Sequence, residues 1–151
     1  STGKTSTKDF LAALLEPLGH VVVTKGNHNN ELGLPLTICG LEKDTKAVVV
    51  EMGMRGLGQI DFLCRIAEPD YGIITNIGKT HCEILGSQEN IARAKCELLP
   101  YIKEDSIIVL NKKDEVFLQP WLFSCKGKIL WFDATGQHAD CCLCSFSNQL
   151  A

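Results

Sequence analysis

Hydrophobic positions along the chain alternate between short continuous runs and longer stretches with helical spacing. Five runs rich in β-branched or aromatic residues predict strands at residues 21–23, 47–50, 71–74, 106–110 and 129–132. Runs of this kind are typical of parallel strands that are covered on both faces. Helical spacing predicts helices at residues 8–18, 59–67 and 89–102. This order predicts an α/β domain with a mostly parallel sheet flanked by helices.

Length and composition favour one globular domain. The chain has 151 residues, of which 45% are hydrophobic, and a net charge of −3. A slightly acidic chain has no electrostatic footprint for nucleic acid, so a nucleic-acid partner is not expected. No apolar run reaches the roughly 18 residues that a membrane span needs, and the first residues lack a signal-peptide layout. We therefore expect a soluble, cytoplasmic protein without a membrane partner.

The eight cysteines favour reduced thiols over a disulfide framework. Five of them, Cys39, Cys64, Cys82, Cys96 and Cys125, are scattered among apolar segments of a chain large enough to fold without cross-links. The cluster at residues 141–144 lacks the paired spacing and the histidine partners of a zinc site. Reduced thiols are typical of the cytosol, and no structural zinc is expected.

The first eight residues, S-T-G-K-T-S-T-K, match the second half of a phosphate-binding loop that leads into a helix. Gly3 permits the backbone to approach a phosphate, and Lys4 adds a positive charge for the β and γ phosphates. Thr5 supplies a hydroxyl of the kind that binds the Mg²⁺ of a nucleotide. The full pattern G-x-x-x-x-G-K-[ST] is not present, so a capped helix start rich in hydroxyls remains an alternative.

Polar segments follow four of the predicted strands. They lie at residues 26–35, 51–56, 75–81 and 111–114. Open parallel sheets bind ligands beyond the carboxyl ends of their strands. We therefore expect these segments to converge on the edge of the sheet that holds the phosphate loop.

Each candidate in these segments also has a purely structural interpretation. The segment at residues 26–33 has the composition of an Asn/Gly turn. Glu51 follows four apolar residues, which suits either a solvated strand end or a carboxylate that holds Mg²⁺. His81 is either a loop histidine or a group that binds a metal or orients a water. Lys95, on a predicted helix, has the pattern of an ordinary surface charge.

Taken in order, these motifs closely resemble the central ATP-binding domain of the Mur ligases. The matching segments are S-T-G-K-T-S-T-K, G-N-H-N-N-E-L-G-L-P-L-T, V-V-V-E-M-G-M-R-G-L-G-Q-I, I-I-T-N-I-G-K-T-H-C-E-I-L-G-S and Q-E-N-I-A-R-A-K-C-E-L-L. The resemblance covers nearly the whole chain and implies a fold like that of the P-loop NTPases. It also implies an ATP-dependent amide ligase of bacterial cell-wall synthesis. The pattern is most similar to members that join D-alanyl-D-alanine to UDP-N-acetylmuramoyl-tripeptide.

The resemblance implies a role for each matching residue. Lys4 would contact the phosphates, Thr5 and Glu51 would hold one Mg²⁺, and His81 would serve a second. Lys95 matches a lysine that is often carbamylated in this family, which would make it a metal ligand and a catalytic residue with Lys4 and His81. The implied nucleotide contacts are Ser1, Thr2, Gly3, Lys4, Thr5, Ser6, Asn27, Asn30, Asn111 and Asp114.

One departure from the family pattern lies in the last of these segments. The usual sequence is Asn-x-Asp-Asp, whereas this chain has Asn111-Lys112-Lys113-Asp114. Lys113 therefore stands where an aspartate normally contacts the ribose or the adenine. The resemblance leaves that contact without its usual carboxylate.

The implied reaction activates the peptide carboxylate as an acyl phosphate, which the amine of the dipeptide then attacks. It needs no protein nucleophile. Family members also have an N-terminal domain for the UDP-sugar and a C-terminal domain that completes the nucleotide site. We therefore predict that residues 1–151 form an incomplete central domain without ligase turnover of its own. The alternatives are a folylpolyglutamate or cyanophycin synthetase type of ligase, which the segment at residues 26–37 disfavours, and a non-catalytic nucleotide-binding module.

Overall fold

The computed structural model describes residues 2–78, 85–133 and 139–142. Five α-helices lie in these ranges: α1 Lys4–Leu15, α2 Gly33–Cys39, α3 Gln59–Ala67, α4 Gln88–Cys96 and α5 Glu115–Leu118. Six strands accompany them: β1 Val21–Val23, β2 Ala47–Val49, β3 Gly72–Ile74, β4 Ile107–Asn111, β5 Lys128–Asp133 and β6 Cys141–Cys142. Short 3₁₀ helices lie at Glu16–Leu18, Leu99–Tyr101, Lys112–Asp114 and Gln119–Ser124.

The described strands form two sheets, both of them parallel. β1 pairs with β2, and a four-stranded sheet has the order β3-β4-β5-β6. The α/β class and the parallel pairing are therefore confirmed. The cover of the strands is incomplete, because Val48 in β2 and Ile73 in β3 are each 38% exposed.

Two helix boundaries differ from the sequence-based prediction, one next to a glycine and one ahead of a proline. Helix α1 begins at Lys4 instead of Lys8, because Gly3 adopts a left-handed conformation and its carbonyl accepts the first helical bond from the Thr7 N–H at 2.9 Å. Helix α4 ends at Cys96, and Pro100 lies in the 3₁₀ helix that follows. Proline lacks the N–H that would continue an α-helix.

Helix α2 and strand β6 were not predicted. Helix α2 lies partly within the segment interpreted as a possible Asn/Gly turn, and it begins where the Asn30 side chain accepts bonds from the N–H groups of Leu32 and Gly33. The apolar positions of α2 are too few to show a helical period. Strand β6 has two residues, which is too short for a hydrophobic pattern.

The hydrophobic core lies around the four-stranded sheet. Its buried members come mainly from β3, β4 and the helices α3 and α4, and they include Leu63, Ile74, Ile91, Ile108 and Leu110. Within the described ranges, no helix combines the length and apolar character that crossing a membrane would require.

Candidate functional site

The phosphate loop is held against the carboxyl end of β3. Gly3 has φ 86°, a conformation in which a side chain is strained, so this turn favours glycine. The Thr2 carbonyl accepts hydrogen bonds from the Thr75 hydroxyl at 3.2 Å and from Asn76 Nδ2 at 2.8 Å. The sequence-based expectation that the segment after β3 meets the phosphate loop is thus confirmed.

Glu51 is the charged group at the centre of the candidate site. It lies two residues after the end of β2, and it is only 7% exposed. Its N–H donates to the hydroxyl of the buried Thr24, at the end of the neighbouring strand β1, at 3.0 Å. This contact fixes the backbone from which the carboxylate extends.

Three side chains surround the Glu51 carboxylate. Thr5 Oγ1 donates to Oε2 at 2.8 Å, and Asn29 Nδ2 donates to Oε1 at 2.8 Å. Lys4 Nζ lies 3.9 Å from Oε1 and forms an ion pair with it. The loop, the end of β2 and the segment after β1 therefore meet at one carboxylate.

Lys95 lies on α4 and reaches the same edge of the sheet. Its ammonium donates a hydrogen bond to the Asn76 carbonyl. Burial, together with the positive charge of Lys4, lowers the pKa of Lys95 from its ordinary value of 10.5 to about 8, while the Asp114 carboxylate acts in the opposite direction. The two lysines thus interact electrostatically, and the neutral amine of Lys95 is accessible a little above neutral pH.

Asn111 and Asp114 join the ends of β3 and β4. Asn111 Nδ2 donates to the Thr75 carbonyl at 3.0 Å, and its Oδ1 accepts from the Lys113 N–H at 3.1 Å. Asp114 Oδ2 accepts from the Ile77 N–H at 2.7 Å. Both side chains therefore link the segments that follow β3 and β4, a structural role that the sequence did not indicate.

The remaining predicted residues lie in the loop after β1 and at the start of α1. Asn27 is exposed, and its carbonyl accepts from the Asn29 N–H at 2.7 Å. The Asn30 side chain holds the first turn of α2, as described above. Ser6 is exposed on α1. Ser1 and His81, and with them the predicted second metal ligand, lie outside the described residues.

Three residues of the site were not predicted from sequence. Thr24 holds the backbone of Glu51, Asn29 holds its carboxylate, and Asn76 holds the phosphate loop. Asn76 Oδ1 is buried without a hydrogen-bond partner in the described part of the chain. The only available signal for Asn29 and Asn76 was a polar amide just after a strand, and nothing distinguished Asn29 from the neighbouring Asn27 and Asn30.

The buried thiols near the site are poor nucleophiles. Burial raises the pKa of Cys64 and of Cys96 to about 12. The thiolate is the reactive form of cysteine, so both groups are unreactive at neutral pH. This agrees with a site that works through charge and positioning.

Comparisons with known proteins match this geometry to one family. The family model described as the Mur ligase middle domain matches residues 1–141. The UDP-N-acetylmuramoyl-tripeptide--D-alanyl-D-alanine ligase of Bacillus subtilis is 45% identical over 140 residues, which are 93% of this chain and 30% of that protein. The chain therefore spans about 30% of the length of that relative.

Solved structures give the same result. A MurF crystal structure from Acinetobacter baumannii superposes on this chain with a TM-score of 0.82 at 32% sequence identity. The match covers 93% of this chain and 30% of the MurF chain. The MurF ligase from Thermotoga maritima in complex with ADP gives a TM-score of 0.76 at 37% identity, with 87% and 30% coverage. The phosphate loop and the strand-end segments thus have their counterpart in known enzymes, and the chain belongs to the Mur ligase family, whose middle domain it matches.

Proposed function

We propose that this chain supplies the ATP site of a ligase that joins D-alanyl-D-alanine to UDP-N-acetylmuramoyl-tripeptide. The observation that carries the proposal is the meeting of Lys4 and Thr5, from the phosphate loop, with the buried Glu51 carboxylate. The relatives named above support the choice of substrates. Binding of ATP is supported by the similar MurF ligase that was solved in complex with ADP.

The residues around Glu51 fit a magnesium ion. Mg²⁺ prefers hard oxygen ligands at about 2.0–2.1 Å in octahedral geometry, which places neighbouring ligand oxygens about 2.9 Å apart. Thr5 Oγ1 and Glu51 Oε2 are 2.8 Å apart. We propose that these two oxygens hold Mg²⁺, which would neutralise phosphate charge and so favour attack on the γ-phosphorus.

The two lysines supply the other positive charges of the proposed site. Lys4 occupies the first position of α1, and we propose that it contacts the phosphates together with the N–H groups of that helix's first turn. Lys95, with its lowered pKa, offers an amine that reacts with CO₂ when neutral, and we propose that it is carbamylated and then serves as a metal ligand. His81 stays a proposed ligand of a second Mg²⁺.

Nucleoside recognition is assigned to the segments after β1 and β4. We propose that Asn27 and Asn30 line the nucleotide pocket and that Asn111 and Asp114 contact adenosine. The bonds of Asn111 to Thr75 and of Asp114 to Ile77 support a pre-organised arrangement. Lys113 is exposed beside them, where it brings a positive charge in place of the aspartate that is usual in the family.

The whole reaction also requires sites for the two other substrates. We propose that an N-terminal UDP-sugar domain and a C-terminal domain complete the enzyme, that the enzyme works in the cytoplasm, and that residues 1–151 alone do not turn over. The match to 30% of the length of the Bacillus relative supports this division of labour.

A domain exchange tests the proposed function. This chain would replace the matching segment of the Bacillus subtilis ligase, and phosphate release would be measured with ATP, UDP-N-acetylmuramoyl-tripeptide and D-alanyl-D-alanine. We expect release that requires all three substrates and that Lys4→Ala abolishes. No release from the exchanged enzyme, or release that Lys4→Ala leaves unchanged, would contradict the proposed ATP site. Turnover by residues 1–151 alone would contradict the proposed need for further domains.

A further inference from the structure

We infer that Asn29 is a positioning residue for the Glu51 carboxylate and that Gly53 is required as glycine to leave space for Asn29. This inference rests on the proposed Mg·ATP site, which it deepens. It concerns a residue that is not expected to bind the metal itself. It acts through Glu51.

The contacts of the carboxylate show what Asn29 adds. Thr5 and Asn29 donate to different oxygens of Glu51, each at 2.8 Å. One contact alone would leave the carboxylate free to rotate about its last bond. With both, the plane of the carboxylate is fixed and Oε2 is kept beside the Thr5 hydroxyl, where the proposed Mg²⁺ needs it.

The backbone of Asn29 is itself held from two sides. Its N–H donates to the Asn27 carbonyl at 2.7 Å, and its carbonyl accepts from the Gly53 N–H at 2.7 Å. The second bond ties the loop after β1 to the segment that carries Glu51. The backbone that carries the Asn29 amide is therefore linked to the segment that carries Glu51.

Gly53 lies so close to this amide that it has no room for a side chain. A Cβ atom at position 53 would lie 2.8 Å from Asn29 Oδ1 and 2.9 Å from Asn29 Cγ. These distances are shorter than real Cβ contacts. The neighbour that would have to move is the end of the Asn29 side chain, so an alanine at position 53 would displace the donor from Glu51.

Substitution of Asn29 tests the inference through the metal dependence of nucleotide binding. Calorimetry would compare ATP with Mg²⁺ and ATP with EDTA for the original chain, Asn29→Ala and Asn29→Asp. We expect Asn29→Ala to weaken Mg·ATP binding about tenfold or more, since a hydrogen bond to a charged group is lost. Binding of metal-free ATP should change less than about twofold, because the phosphate loop is intact.

The variant Asn29→Asp keeps the shape of the Asn29 side chain but removes its hydrogen-bond donor, so it tests which of the two properties matters. Aspartate has the shape of asparagine, but it places a second carboxylate against Glu51. We expect a larger loss of Mg·ATP affinity than in Asn29→Ala, whereas a role in packing alone predicts that the isosteric variant is the milder one. Equal losses with and without Mg²⁺ would also overturn the inference. Asn90→Ala, which removes an amide donating to the Leu85 carbonyl, is the matched control and should leave both affinities unchanged.

A double-mutant cycle tests the part of the inference that concerns Gly53. We expect Gly53→Ala to weaken Mg·ATP binding as much as Asn29→Ala, and the double variant to lose no more than either single one. Additive losses would show that position 53 acts independently of Asn29. Gly40→Ala is the control, since its Cβ would meet its nearest neighbour at 3.4 Å, an ordinary contact.

Crystal structures of the ligand-free variants separate this inference from the proposed function. In Asn29→Ala and in Gly53→Ala, we expect the Glu51 carboxylate to leave hydrogen-bond distance of Thr5. If it stays there in both, the positioning role is refuted, whatever the nucleotide data show. If it moves while the original chain binds no Mg·ATP, the positioning role stands and the proposed function fails.

Discussion

The two sheets of this domain are stabilised in different ways. The four-stranded sheet packs with α3 and α4 around fully buried apolar side chains such as Leu63, Ile91 and Leu110. The two-stranded sheet and α1 contribute no side chain to that cluster among the described residues. Lys8 is the buried residue of α1, whereas Phe10 is 73% exposed and Leu14 is 77% exposed.

The side chains that stabilise the fold and those that shape the candidate site therefore lie largely in different regions. The Glu51 carboxylate and the phosphate loop belong to the less buried region, and polar contacts with Thr5, Asn29 and Asn76 hold them there. Lys95 belongs to the core region and reaches across to the Asn76 carbonyl. We therefore expect substitutions in the core to affect unfolding and substitutions at the polar contacts to affect the ligand.

The largest effect on stability is expected for Leu110→Ala. Leu110 in β4 is fully buried, and truncating a core leucine to alanine costs about 2–5 kcal/mol through lost burial and the cavity left behind. Chemical denaturation should report a loss in this range. A loss below about 1 kcal/mol would show that the site can collapse around the smaller residue and that the core is less closely packed than described.

A smaller loss is expected where Glu97 caps α3. Its carboxylate accepts from the Gly58 N–H at 2.6 Å and from the Asp61 N–H at 3.1 Å, and so holds the first turn of α3. We expect Glu97→Ala to lower the free energy of unfolding by about 1–2 kcal/mol, the cost of losing a helix cap. The exposed Glu104 provides the control: Glu104→Ala should leave stability unchanged within about 0.5 kcal/mol.

The pH dependence of stability should report on Lys95. Its pKa is about 8 in the folded chain, below the ordinary 10.5, so between these values the unfolded chain binds the proton that the folded chain has released. Stability from this group therefore rises with pH from about 8 to 10.5 and is constant below that window. In CO₂-free buffer, the slope of stability against pH above about 8 should be more positive than in Lys95→Met, and the comparison is needed because the raised pKa values of Cys64 and Cys96 lower stability as pH rises above about 9. The same slope in both proteins would contradict the lowered pKa.

The smallest effect is expected on the exposed face of α1. Phe10 buries little area, so Phe10→Ser should change the free energy of unfolding by no more than about 0.5 kcal/mol. The measurement is chemical denaturation under the conditions used for Leu110→Ala. A loss comparable to that of Leu110→Ala would show that α1 is part of the stabilising core.

The sequence predicted the elements with a clear period and the residues with a clear chemical type. Helix α3 was predicted to the residue, and β1 likewise, because glycine, proline and apolar periodicity mark their ends. Lys4, Thr5 and Glu51 were predicted as site residues by the loop motif and by a carboxylate at a strand end. The structure confirms that these three side chains lie together.

Other features depend on contacts that a single sequence does not show. Asn27, Asn29 and Asn30 have the same side chain in one loop, and only the fold decides that Asn29 faces Glu51. The bonds of Asn111 and Asp114 to the backbone after β3 join residues far apart along the chain. The pKa of Lys95 depends on burial and on Lys4, and neither is visible in its helical pattern.

Titration of Mg·ATP into the chain tests the central claim most directly. The claim is that the phosphate loop and Glu51 form a working Mg·ATP site. Isothermal calorimetry should show saturable heat for the original chain, and that heat should be lost in Lys4→Ala with the fold retained by circular dichroism. Equal heats for both proteins would contradict the assignment of this site.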